Sequence, residues 1–284
     1  MIRSLIVATV VLTVASSYSE VRAATHGLTW GPYTVASDRI AHEPSNRYQV
    51  EIRSSQGRLI RDVRGYGRPK IRIAKTGKSQ PTVLLISIGN GGNDGLDLIF
   101  GYVYSPKVGV KNVIATEGVM DKFVFRDLDG DGVAELVLDD TLSLNGFDHF
   151  SRSGIGEIAR VYKWRGDRYV DATPRFPTRT LQRSAVGRRQ FLNNLNTEET
   201  YVRSRLSNEH DSLARSHEDV MAPAILYWAN EMAAGRANVA ENLFRRRCSK
   251  QMVAWLAQRR PLLVRTIKNQ GDVMTTDDSV SVGP

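Results

Sequence analysis

Cysteine is almost missing: Cys248 is the one thiol in 284 residues. No internal disulfide can form, even in a compartment that would permit one. Histidine is scarce as well. His26, His42, His149, His210 and His217 fall in none of the spacings of a metalloprotease, a zinc finger or a nucleophile-elbow hydrolase. No Ser, His and Asp set stands out along the chain. His149 directly follows Asp148, but neighbours in an extended segment point to opposite faces, so the pair reads as surface. Cys248 follows Arg245-Arg246-Arg247; basic neighbours lower a thiol pKa, yet a half-buried small residue is the simpler reading and no redox role is assigned. No catalytic residue is assigned on these grounds, and binding is favoured over catalysis. A membrane-length apolar run is also lacking, since the stretch over residues 5–15 is far short of the about 20 residues a span requires.

That short run has another meaning. Met1-Ile2-Arg3 gives a charged start, residues 5–15 an apolar centre and residues 16–23 a small-residue end, the order of a secretory signal peptide. Val21-Arg22-Ala23 places the cut after Ala23, so residues 1–23 are expected to be removed and the mature chain to begin at Ala24. No cysteine follows the run, which argues against a lipid anchor. The expected location is periplasmic or secreted, with no transmembrane span after cleavage.

The remaining composition is that of a folded chain, with 41% hydrophobic residues and room for one large domain or two ordinary ones. The net charge of +9 hides an asymmetry. Residues 47–78 carry ten Lys or Arg against Glu51 and Asp62, while residues 94–148 carry eleven acids against Lys107, Lys111, Lys122 and Arg126. Opposite charge within one fold accounts for both without an external partner. Residues 236–268 carry nine Lys or Arg against Glu241 alone, which makes an anionic lipid surface or wall polymer a partner to consider beside a plain solvated basic face.

Periodicity divides the chain in two. Residues 27–46 show no period and read as an irregular lead-in. From Arg47, alternation predicts strands: Tyr48, Val50 and Ile52 on one face, a turn at residues 54–57, a second strand opening at Leu59-Ile60, and a third marked by Ile71 and Ile73. Residues 82–88 form a continuous apolar run suited to a strand buried on both faces. Residues 157–164 and 168–170 predict two more strands around a turn at Arg165-Gly166-Asp167, which is ordinary hairpin chemistry and not an adhesion signal. Pro174, Pro177 and Arg188-Arg189 mark a passage to helical period from about Asn193, with Asn196 as an N-cap three residues before Glu199. Met221, Ile225, Trp228 and Met232 make one helical face closed by Gly235, and Pro261 is expected to break, kink or restart a helix. The fold class is therefore α+β: a β-rich domain over residues 24–180, a small helical domain over 181–270, and a disordered tail over 271–284.

The chemistry concentrates in Asp127-Leu128-Asp129-Gly130-Asp131-Gly132-Val133-Ala134-Glu135. Oxygen-bearing side chains recur at every second position, and a hard cation such as Ca²⁺ takes six to eight oxygens from such a turn. Asp127, Asp129, Asp131 and Glu135 are the candidate carboxylate ligands and the carbonyl of Val133 a backbone ligand. An EF-hand is excluded, because its twelfth position requires a bidentate Glu between two helices, and here that position is Leu138 in a strand-like flank. Asp139 and Asp140, just beyond, are a candidate outer or carbohydrate-binding pair, or a solvated strand end.

The loop resembles the DxDxDGxxD/E-L loop of FG-GAP and VCBS repeats, the calcium loops of integrin-α-type propellers. The resemblance covers roughly residues 82–172, where residues 89–97 look like a decayed second copy with Asp97 and Leu98 in register with Glu135 and Leu136. It implies calcium bound by Asp127, Asp129, Asp131 and Glu135, with Glu standing where Asp is commoner. It also implies propeller-blade-like hairpins, though the chain has room for only a fragment of a propeller. The expected function is that of an exported calcium-binding protein of the cell envelope, a non-catalytic binding or scaffolding module. Its partner would be envelope polymer, anionic lipid or another exported protein, with nucleic acid not expected. The alternative class is an exported hydrolase of envelope or carbohydrate substrates with a structural calcium.

Overall fold

Residues 83–86 set the frame, because four consecutive apolar side chains alternate between two faces and can be buried only between two cores. The computed structural model describes residues 27–40, 46–77, 80–91, 97–142, 157–205 and 210–272. The expected signal peptide and its cut after Ala23, His26, His42, the Asp148–His149 pair and residues 273–284 lie outside them.

Seven strands follow one another: β1 (Leu28–Trp30), β2 (Tyr33–Arg39), β3 (Arg47–Ser54), β4 (Leu59–Ala74), β5 (Val83–Gly89), β6 (Asp97–Ser105) and β7 (Gly109–Gly118). They form one antiparallel sheet in chain order. Two expectations change here. The stretch 27–46 is not wholly irregular: β1 and β2 form a hairpin, in which β1 has only three residues and β2 fully buries Val35 alone, so neither shows an apolar period. The second and third expected strands are one, β4, whose pairing with β5 shifts register between Tyr66 and Lys70 and so breaks the alternation in the sequence.

In β5, Val83 and Leu85 face one core while Leu84, Ile86 and Ile88 face another. The second core lies inside the sheet itself. Trp30 donates from Nε1 to Thr82 Oγ1 at 3.2 Å, and the Tyr33 ring meets Tyr104 edge-on at 5.2 Å, so the sheet curls until its first hairpin closes on the fifth and sixth strands. Val50, Ile52 and Phe100 fill the enclosed space. Each such side chain, fully buried, contributes about 1.5–3 kcal/mol.

The other core joins a second sheet. Strands β8 (Val124–Arg126), β9 (Glu135–Thr141), β10 (Glu157–Trp164) and β11 (Tyr169–Asp171) lie in the order β11-β10-β9-β8. Phe125, Leu136, Leu138, Tyr162 and Trp164 from this sheet pack with Val83, Leu85 and Ile99 of the first.

Four helices follow: α1 (Thr178–Arg205), α2 (His210–Ala233), α3 (Ala237–Arg247) and α4 (Lys250–Asp272). Helix α1 begins directly after Pro177, and Asn196 lies inside it, so Asn196 is no cap. The early turns escape a reading by period because their buried stripe is Thr180, Ser184 and Gly187, which carry no apolar signal. Helix α4 runs through Pro261 without interruption and ends at Asp272, past the expected start of the tail. Gly235 does close α2, with its N–H bonded to the Met232 carbonyl at 2.9 Å. Phe191, Trp228 and Phe244 pack edge-on in the helical core, to which Leu142 and Ile158 contribute from the sheet side. The whole is α+β, two antiparallel sheets followed by helices. Among the described residues no helix is long and apolar enough to cross a membrane.

Candidate metal centre

The Asp127 loop joins β8 to β9, where Arg126 and Glu135 are the last paired residues. Gly130 and Gly132 both have positive φ, which lets the chain reverse within the loop. The acids hold that turn by accepting from its own backbone. Asp127 takes the Gly130 N–H at 2.7 Å and the Gly132 N–H at 2.9 Å, Asp131 takes the Val133 N–H at 2.9 Å, and Glu135 takes the Leu128 N–H at 2.8 Å. Val133 is fixed at the base by a bridge to Gly77, and the Ala134 N–H bonds the Thr76 carbonyl. Carboxylate oxygens of Asp127, Asp129 and Glu135 come within 4.8 Å of one another.

A residue that the sequence does not single out sits among them. Lys163, on β10, places Nζ 2.7 Å from Asp129, 2.7 Å from Asp131 and 3.0 Å from Glu135. Its side chain is 8% exposed and that of Glu135 is fully buried. Hydrogen bonds to Asp129 and Asp131 raise the lysine's pKa well above its ordinary value, outweighing burial, so it is cationic at any physiological pH. The same ammonium, with the Val133 N–H, holds Asp131 below the usual carboxylate range. Arg175 adds a contact to Asp129 at 2.9 Å. Four carboxylates thus face two cationic side chains.

The donors suit a hard cation: all are oxygens, Asp127, Asp129 and Glu135 converge, and the buried Glu135 Oε1 makes no aligned hydrogen bond and meets only the lysine charge. The one misfit is Lys163, which already draws on three of the four acids. A lysine in the apolar strand Val161–Trp164 is the only sequence signal for it, and it reads there as an outward-facing residue.

Asp139 does not belong to this centre. It is buried on β9 and takes Arg179 Nη2 and Arg183 Nη2, each at 2.7 Å, which ties the small sheet to α1 and commits the Asp139 carboxylate to that contact. Arg183 also reaches Glu157, which pairs with Lys122. Asp97, in the decayed copy, accepts from Ser87 Oγ, while residues 92–96 lie outside the described set. Asp167 of the Arg-Gly-Asp turn pairs with Lys111 at 2.9 Å. Cys248 is half-buried at the end of α3, packed against the helical core.

No family model matches the chain, and no curated protein does. Among solved structures, the periplasmic lysozyme inhibitor of I-type lysozyme from Aeromonas hydrophyla is similar over 33% of this chain and 88% of its own, at 17% identity and a TM-score of 0.27. A likeness at that level carries no argument about this chain.

Proposed function

We propose that the chain is an exported, non-catalytic binding or scaffolding protein of the cell envelope, with its small sheet fastened by a calcium loop. The observation that carries the reading is the convergence of Asp127, Asp129 and Glu135 within 4.8 Å on a turn whose acids outnumber their cationic partners. The loop's resemblance to FG-GAP and VCBS repeats supports it. Asp127, Asp129, Asp131, the Val133 carbonyl and Glu135 would hold the ion, and calcium would supply the charge that four neighbouring carboxylates need. The chain's own residues shape the turn through their backbone hydrogen bonds and offset part of its charge through Lys163 and Arg175. Export rests on the pattern of residues 1–23, and an anionic envelope partner on the basic stretch 236–268.

Calcium and the Lys163 ammonium draw on the same carboxylates, so the affinity should be that of a weak extracellular module, with Kd about 10⁻⁴ to 10⁻³ M. At ten times Kd, calcium adds about 1.4 kcal/mol to stability. Thermal unfolding in chelator and in calcium, with calorimetric titration, tests this, and Asp129→Ala/Asp131→Ala should lose both the shift and the heat. If calcium changes neither in the native protein, the loop is a lysine-neutralised turn and the calcium reading fails.

A further inference from the structure

Helices α1, α2 and α3 enclose an open cavity of about 820 Å³. Its volume is in the range of small-molecule sites, roughly 300–1,000 Å³. Helix α1 faces it with Leu181, Arg188 and Leu192, spaced at seven and four residues along one stripe, and α3 with Val239, Leu243 and Arg246, again at helical spacing. The two apolar rows are only partly covered, and Val239 is 39% exposed. The buried Tyr227 and Ser184 line the cavity beneath them.

The charge of the lining is one-sided. Arg188, Arg189, Arg236 and Arg246 border it, and the only carboxylate is Glu231. That acid is already committed: it accepts from Ser184 Oγ at 2.5 Å and pairs with Arg236 Nε at 3.2 Å. Arg188, Arg189 and Arg246 are thus left with no acidic partner in the lining, at the exposed rim of an apolar trough.

We infer that this groove binds a single-chain anionic amphiphile, its phosphate or carboxylate head on the rim guanidiniums and its chain along the Leu181–Leu192 and Val239–Leu243 rows. Guanidinium pairs such oxyanions through two parallel N–H donors. An anion alone would leave the apolar rows uncovered, and an uncharged chain would leave three guanidiniums unused. The inference stands apart from the calcium loop and holds whether or not that loop takes a metal.

The test is calorimetric titration of the full exported chain with dodecyl phosphate below its micellar concentration, beside inorganic phosphate and dodecyl maltoside. Saturable 1:1 binding of dodecyl phosphate is expected, at least tenfold tighter than either comparison and weakening with salt. Arg188→Ala/Arg246→Ala should reduce it about tenfold, and Val239→Asp should abolish it; all three residues are exposed, so melting temperature should hold and exclude misfolding as the cause. Arg265→Ala/Lys268→Ala, outside the groove on α4, should leave binding unchanged. Equal binding of inorganic phosphate would reduce the site to an anion patch, and equal binding of the maltoside to an apolar trough. Either result, unchanged binding in the groove variants, or no binding at all, overturns the inference.

Discussion

Asp139 is ionised in a place that burial alone would make unfavourable. Burial pushes its pKa up, but the hydrogen bonds and charges of Arg179 and Arg183 outweigh that and hold it below the ordinary value. A depressed carboxyl contributes stability that is present above its unfolded pKa, about 3.9, and is lost as pH falls through the lower folded value. Asp139→Asn should therefore destabilise by about 2 kcal/mol at neutral pH, less than for a fully buried pair because both arginines are about 40% exposed. The gap between variant and native protein should close below about pH 4, as chemical unfolding across a pH series would record. Lys163 calls for a different experiment. Lys163→Met removes the ammonium that shares the carboxylates proposed to hold calcium, so calcium affinity should rise by about tenfold while the metal-free protein melts lower. Unchanged affinity would mean that the lysine and the ion use different oxygens. The acids of this loop are legible in the sequence because alternate spacing is a local signal. Their counter-ions are not, since Lys163 and Arg175 reach the loop only through the pairing of β9 with β10 and the turn beyond β11.

Helices α1 and α2 approach closely where a residue has no side chain. Gly187 is buried in the middle of α1, and a Cβ there would lie 2.9 Å from the Tyr227 nitrogen and 3.2 Å from its Cα on α2. Backbone atoms cannot swing aside as a side-chain tip can. Gly187→Val should force the helices apart and destabilise by about 3 kcal/mol, read as a lower denaturation midpoint at unchanged slope. Strand β5 is legible because its apolar residues are nearly consecutive, and the face of α2 because four apolar residues repeat at helical spacing over three turns. The β1–β2 hairpin and the start of α1 are not. Three residues in β1 cannot display alternation, and the buried stripe of α1 opens with Thr180, Ser184 and Gly187, where an apolar period would otherwise show.

At the scale of the molecule, three cores are stacked through shared sheets. The first is enclosed by the curled sheet, the second lies between the sheets, and the third is held by the helices with Leu142 and Ile158. Arg160 fastens the last interface from within: fully buried on β10, it reaches Asp171 at 2.9 Å and the Ile267 carbonyl of α4 at 2.5 Å. Because every strand of the large sheet pairs only with its predecessor and successor, each pairing closes a short segment, and hairpins of that kind form in about 1–10 μs. The seam where Trp30 meets Thr82, 52 residues away, is the exception. Loop-closure entropy opposes such a contact until the intervening strands are in place, so the seam should be set after the rate-limiting barrier. Thr82→Val, which removes the indole's acceptor, should then speed unfolding several-fold and leave the refolding rate almost unchanged in stopped-flow mixing, the behaviour of a position with φ near zero. Slowed refolding would place the seam in the nucleus. The curl thus acts as a latch on the time axis, deciding how long the native state lasts more than how fast it is reached.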